Sequence, residues 1–152
     1  MYPSVWTPHM TVAAVVEHDG RYLLVEEIAR GERVFNQPAG HLEHGERLVD
    51  AVVREVLEEA GAHFVPEAVV GVYRWLNPGT DETHVRVAFC GRLNGSEPQR
   101  ELDEPIIAAH WLSYDALTGA DHPPLRSPMV LNCIDDYRAG RRFPLDLLRD
   151  LG

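Results

Sequence analysis

The stretch from Arg47 to Ala60, RLVDAVVREVLEEA, constrains this chain more than any other. Val49, Val53, Val56 and Ala60 recur at helical spacing and predict a helix over 47–60 with an apolar stripe. Gly61 stands where a helix ends in the left-handed conformation. At about 100° per residue, Glu55, Glu58 and Glu59 fall within an arc of about 100° on the face opposite that stripe. Three carboxylates so close repel one another unless a cation lies between them. Alone, such a face is a solvated surface. Here it follows VFNQPAGHLEHGE (34–46), whose glycine and proline punctuation marks a structured loop, with room for a short strand, running straight into the helix.

The rest of the chain supplies strands. MTVAAVVE (10–17) and RYLLVEE (21–27), joined across Asp19-Gly20, predict a hairpin. HFVPEAVVGVYRW and THVRVAFCGRL predict two more strands around an NPGTDE turn, and IIAAHWLS another. A short helix capped by Ser113 is expected over 113–118, and a further helix over 129–139 ending at Gly140. Strands, long helix, strands, helix imply an α/β or α+β domain whose mixed sheet is covered by helices. With 152 residues and no linker-like segment, one domain over 1–152 is expected.

Composition narrows the chemistry. All 14 basic residues are arginine, which excludes a P-loop lysine, a pyridoxal Schiff base and a lysine nucleophile. The net charge of −10 argues against nucleic acid or an anionic membrane as the main partner, and no apolar run is long enough to span a bilayer. Cys90 and Cys133 sit in apolar company outside any CxxC pattern and read as reduced packing residues. The opening MYPSVWTPHM lacks the basic and apolar regions of a secretory leader, so a cytoplasmic protein is expected.

From Gly40 the sequence fits G-x5-E-x7-R-E-U-x-E-E-x-G-U, with U aliphatic, through Gly40, Glu46, Arg54, Glu55, Val56, Glu58, Glu59 and Gly61; only Ala62 is smaller than usual. Seven fixed polar or glycine positions coincide by chance on the order of 10⁻⁸ per starting point. The chain therefore resembles the Nudix hydrolases. The resemblance implies an α/β/α sandwich with a mixed sheet and a loop-helix site, and water attacking a phosphoric anhydride. It implies Mg²⁺, with Mn²⁺ as a substitute, held by Glu55, Glu58, Glu59 and the Gly40 carbonyl. It also implies that Arg54 orients a neighbouring glutamate and that Glu46 braces loop and helix. The donor set agrees with this, because Mg²⁺ and Mn²⁺ take hard oxygen ligands and substrate phosphate oxygens. The general base varies across the family; outside the helix, Glu104 and Asp103 are the candidates, or else an ordinary acidic loop.

Beyond the box, NQPAGHLE (36–43), RSP (126–128), Tyr137, Gly140 and Pro144 resemble the NudJ-type phosphatases of that family over nearly the whole chain. This resemblance implies stepwise release of phosphate from nucleoside tri- and diphosphates, and action on the pyrophosphate of the thiamine pyrimidine precursor. Substrate contacts follow from residue chemistry. Asn36 and Gln37 can meet a base edge or a phosphate, or cap the loop. Arg86 and Arg126 can clamp phosphate bidentately or form surface ion pairs. Tyr73 and Trp75 share a strand face, where they stack a ring or pack the core. His41 and His44 flank the loop away from any direct ligand role. Alternatives are a nucleotide-sugar or dinucleotide pyrophosphatase, separable by product, an RNA-end pyrophosphohydrolase, which the charge disfavours, and a non-catalytic ligand-sensing module, which the intact box disfavours. The expected partner is a small nucleoside or pyrimidine pyrophosphate, bound by a monomer or homodimer.

Overall fold

The computed structural model describes residues 4–152; the first three residues of the opening stretch, and with them one end of the expected 1–152 domain, lie outside the described residues. In chain order the elements are β1 (His9–Val15), β2 (Glu17–His18), β3 (Arg21–Ala29), β4 (Glu32–Asn36), β5 (Ala39–His41), α1 (Leu48–Ala60), β6 (Ala62–Asn77), β7 (Glu82–Ser96), β8 (Ile106–Ser113), α2 (Tyr114–Thr118) and α3 (Met129–Arg138), with a final 3-10 turn over Leu145–Leu147. A mixed sheet runs β5-β1-β7-β6, in which β1 and β7 are parallel and the other pairs antiparallel. In a second, antiparallel sheet β3 is central, with β8 along one side and β2 and then β4 along the other. The α+β architecture matches the expected fold class.

Alternation along the mixed sheet divides the core. Val12 and Ala14 of β1, and Val87 and Phe89 of β7, join Ala51, Val52 and Val56 of α1. Val15, Ala88 and Cys90 turn the other way and pack with Leu117 of α2 and Val130, Cys133 and Ile134 of α3. Both cysteines are free thiols inside this second cluster, as packing residues should be. No helix among the described residues is long and apolar enough to cross a membrane.

Local signals place the end of α1 and the start of α2. Gly61 adopts φ 64° and its N–H donates to the Leu57 carbonyl, closing α1 as expected. Ser113 Oγ accepts from the Ala116 N–H at 3.1 Å and starts α2.

Two expectations fail. The hairpin at Asp19-Gly20 exists, with φ of 51° and 76° at its tip, but only Glu17 and His18 pair with β3. The preceding strand β1 crosses into the other sheet, because its continuous apolar run can be buried on both faces and a hairpin arm exposes one. The apolar stripe of α1 is also rotated. The buried residues are Ala51, Val52, Glu55 and Val56, while Val53 is only half-buried. Val52, Glu55, Val56 and Glu59 recur at i, i+3, i+4 and i+7, so the acids lie beside the buried face and not opposite it. The helix presents them to the protein interior.

Candidate active site

One cavity of about 540 Å³, a size suited to a small molecule, lies between the two sheets and α1. Its acidic end is built from contiguous sequence. Pairing of β5 with β1 sets Gly40 opposite Val12, and α1 returns across it. A side chain on Gly40 would collide with the Glu55 carboxyl group, so glycine is required there for Glu55 to reach the backbone of β5. Glu59 accepts the Ala39 N–H at 2.8 Å from the same strand.

Arg54 organises the acids. It grips Glu46 with two bonds, Nε to Oε2 at 2.7 Å and Nη2 to Oε1 at 3.0 Å. Its Nη1 donates to Glu55 Oε1 at 2.8 Å and to Glu58 Oε2 at 3.1 Å, and its Nη2 to the His41 carbonyl at 3.1 Å. Glu46 also accepts the Glu43 N–H, tying loop to helix. The bond from Arg54 holds Glu46 below the usual carboxylate range. The three remaining glutamates behave oppositely. Burial raises Glu55 and Glu58, with Asp103 adding repulsion at Glu58. Burial pushes Glu59 up to about 8, against the pull of the Ala39 N–H. Three acids resisting ionisation while facing one cavity are a site short of positive charge.

These donors fit Mg²⁺ or Mn²⁺, since all are hard oxygens and the missing side chain of Gly40 lets the Glu55 carboxyl group lie against the β5 backbone. The acids nevertheless stand apart. Among the described residues no three acid, histidine or cysteine groups have ligand geometry. The reason is visible: Arg54 occupies one oxygen each of Glu55 and Glu58, and Ala39 occupies one of Glu59.

The opposite end gathers residues from distant parts of the chain. The 121–128 loop lies against β4 through the bonds Phe35 N–H to Pro124 O and Arg126 N–H to Phe35 O, each 2.8 Å. Arg126 and Ser127 thereby line the cavity beside Asn36. Arg86 of β7 is 3% exposed and donates from Nη1 to Gln37 Oε1 at 2.9 Å and from Nη2 to Asn36 Oδ1 at 3.1 Å. Gln37, fully buried, donates to the Val130 carbonyl at 2.7 Å. Trp75 stacks on His84 with ring centroids 6.0 Å apart, and His84 on His9 at 5.0 Å.

The cavity thus brings together Gly40, Arg54, Glu55, Glu58, Glu59, Asn36, Arg86, Trp75 and Arg126 of the expected residues. Glu46 stands behind Arg54, and Gln37 behind Arg86. Tyr73 is turned into the second core cluster, where it donates to Asp136 of α3 at 2.6 Å. Glu104 is exposed and outside the lining; its neighbour Asp103 lines the cavity and donates its N–H to the Glu58 carbonyl at 2.9 Å. His41 lines the cavity too, bonded to His9, whereas His44 is exposed. Sequence reasoning missed Glu27, a buried acid near Glu59 that is ion-paired with Arg126. All six residues from Tyr22 to Glu27 are buried, so alternation along β3 cannot single it out.

A two-sheet fold with helices on both faces and a glycine-backed, glutamate-rich helix lining a cavity defines a hydrolase class, and residues 7–133 match the NUDIX domain family model. The chain belongs to the Nudix family and is a hydrolase. It is 38% identical over 147 residues to Phosphatase NudJ of Escherichia coli strain K12, covering 96% of this chain and 94% of that protein. A NUDIX hydrolase from Nitrosomonas europaea superposes with a TM-score of 0.90 at 47% identity, covering 95% of this chain and 98% of the other. The NUDIX domain of Shewanella oneidensis NrtR, solved with ADP ribose, shares the fold at a TM-score of 0.72 and 17% identity, each chain 90% covered.

Proposed function

We propose that this protein, as one domain, hydrolyses phosphoric anhydride bonds of nucleoside tri- and diphosphates and related small pyrophosphates, releasing phosphate with Mg²⁺ or Mn²⁺ as cofactor. The observation that carries the reading is the convergence of Glu55, Glu58 and Glu59 on one end of a cavity backed by Gly40. Likeness to a protein named Phosphatase NudJ supports phosphate release.

Glu55, Glu58, Glu59 and the Gly40 carbonyl would hold the metal, which supplies charge neutralisation at phosphoryl oxygens and an acidified water. The chain does the rest. Arg54, braced by Glu46, fixes the rotamers of Glu55 and Glu58 and shares their charge. Asp103 adjoins Glu58, so one carboxylate of this pair accepts the proton of the attacking water. Arg126 directs donors at the phosphate chain from the facing loop, while Asn36, Arg86 and Trp75 contact the remainder of the substrate. Gln37 supports Arg86 from behind, and Tyr73 stands opposite Arg86 in the β6–β7 ladder.

Incubation with Mg²⁺ and a panel of nucleoside tri- and diphosphates, nucleotide sugars, dinucleoside polyphosphates and the thiamine pyrimidine pyrophosphate, with products resolved, tests this. Orthophosphate from the triphosphates is expected. Pyrophosphate as their main product would remove the stepwise reading and favour internal cleavage.

A further inference from the structure

Four arginines line the cavity, and three of them have partners within the protein. Arg54 bonds Glu46, Glu55 and Glu58, Arg126 is ion-paired with Glu27, and Arg86 donates to the amides of Asn36 and Gln37. Arg30 is the fourth. Among the described residues its exposed side chain makes neither an ion pair nor a hydrogen bond.

The backbone holds Arg30 where arginine is a poor choice. Ala29 pairs with Glu32, so Arg30 and Gly31 form the two-residue turn between β3 and β4. Their φ angles are 54° and 77°, both positive, as a type I′ hairpin turn requires. Such turns favour asparagine or aspartate before glycine, because a short polar side chain tolerates the left-handed region. The other described non-glycine residues with positive φ, Asp19 and Asp81, obey that preference. Arg30 departs from it. Backbone strain of this kind gathers where a side chain serves a purpose other than the fold.

The turn carries the side chain along the edge of the cavity. Arg30 Nη1 lies 3.8 Å from where a Cβ on Gly79 would stand, in the turn between β6 and β7. Ala29 beside Arg30 and Asn77 beside that second turn both line the cavity. The guanidinium therefore stands at the rim, between two hairpin tips. Glu27, with Arg126 paired to it, lies three residues back along β3, roughly 10 Å from Arg30. A phosphate chain that starts at the acidic end passes Arg126 and then comes within reach of the Arg30 stem.

We propose that Arg30 binds the phosphate chain of the substrate at the rim, its free fork holding oxygens that the acidic end leaves uncovered. The inference rests on the phosphoric-anhydride reading above. It gives Arg126 a second phosphate-binding partner that the sequence motifs do not contain.

The test compares wild type with Arg30→Asn, which removes the fork and supplies a residue the turn prefers. With Mg²⁺, kcat/KM for ATP, GTP and CTP is expected to fall roughly tenfold or more, alike on all three and mainly through KM. The melting temperature should hold or rise. Arg30→Lys keeps a point charge and should lose less. Unchanged kcat/KM in Arg30→Asn overturns the proposal, as does a loss confined to one base or accompanied by a lower melting temperature. Arg92→Asn removes the same charge from an exposed site outside the cavity and should keep wild-type kinetics. An equal loss there would make the effect one of net charge and overturn the contact. If no nucleotide is hydrolysed, the parent reading fails separately. Calorimetric binding of inorganic tripolyphosphate with Mg²⁺ then decides: tighter binding by wild type than by Arg30→Asn supports the contact, and equal or absent binding overturns it.

Discussion

Of the four arginines that line the cavity, Arg54 and Arg86 face it from opposite ends, and their surroundings are inverted. Arg54 sits among four carboxylates and bonds Glu46, Glu55 and Glu58, with Glu43 at 3.5 Å. Arg86 sits among amide oxygens with no acid in reach. Arg54 is therefore a strut. Its charge is spent within the protein, on acids that would otherwise force one another apart. The charge of Arg86 has no acid partner, and only the amide oxygens of Asn36 and Gln37 and the Cys133 sulfur offset its desolvation. Charge count says little about binding; the partner of each charge decides it.

The strongest way to break this comparison is to remove acid from the Arg54 end. Glu58→Gln or Glu59→Gln should lower turnover by roughly 10³-fold or more while the fold survives, since each removes several kcal/mol of metal-borne charge stabilisation. Steady-state rates at saturating Mg²⁺ check it, and near-wild-type rates would sink the ligand assignment. Gly40→Ala comes next. The new methyl group displaces Glu55, so divalent-metal affinity measured by calorimetry should fall about 10–100-fold, the range for disturbing a ligand's support. Unchanged affinity would remove Gly40 from the site.

Stability separates the two arginines directly. Arg54→Met leaves crowded, part-buried acids without their cation and should cost about 2–3 kcal/mol by urea denaturation, a buried-pair loss reduced by partial exposure. Arg86→Met removes an uncompensated buried charge, and the relief offsets the lost amide bonds, so the change should stay within about 1 kcal/mol. Equal losses would erase the distinction.

The smallest effect is on pH. The carboxyl of Glu59, raised from 4.5 to about 8, holds in the folded protein a proton that the unfolded chain has already released between those values. The metal-free melting temperature should therefore fall as pH rises through that window. Glu55 and Glu58, also raised, act in the same direction. Mg²⁺ should restore more at pH 8 than at pH 5.5. A metal-free melting temperature that is flat or rising across the window would contradict the crowding of acids around Arg54.

What could be read from residues alone follows the same division. The acidic end comes from Gly40 to Glu59, where spacing along one loop and one helix carries the geometry, so its members were identifiable in advance. The orientation of α1 was not, because three of its inward positions hold acids that periodicity assigns to solvent. The pairing of Arg86 with Asn36 and Gln37 joins residues 49 and 50 positions apart from different sheets, and no local pattern records it. Asp103 and Glu104 are neighbours of like chemistry, and only the bond from Asp103 to the end of α1 separates them.

The parallel register of β1 and β7 has a consequence in time. It joins residues such as Thr11 and Val85, 74 positions apart, and so closes a long loop with no hairpin to guide it. Loop closure of that length is entropically slow, whereas a helix forms within its own span. The acidic end can gain its shape as soon as α1 docks; the Arg86 end waits until residues 36, 86 and 126 have all arrived. Newly made chains should pass through a stage in which the acidic end is formed and the contacts of Arg86 with Asn36 and Gln37 are not. Hydrogen exchange of the folded protein should in turn show the Asn36–Arg86 end opening before the Arg54 end.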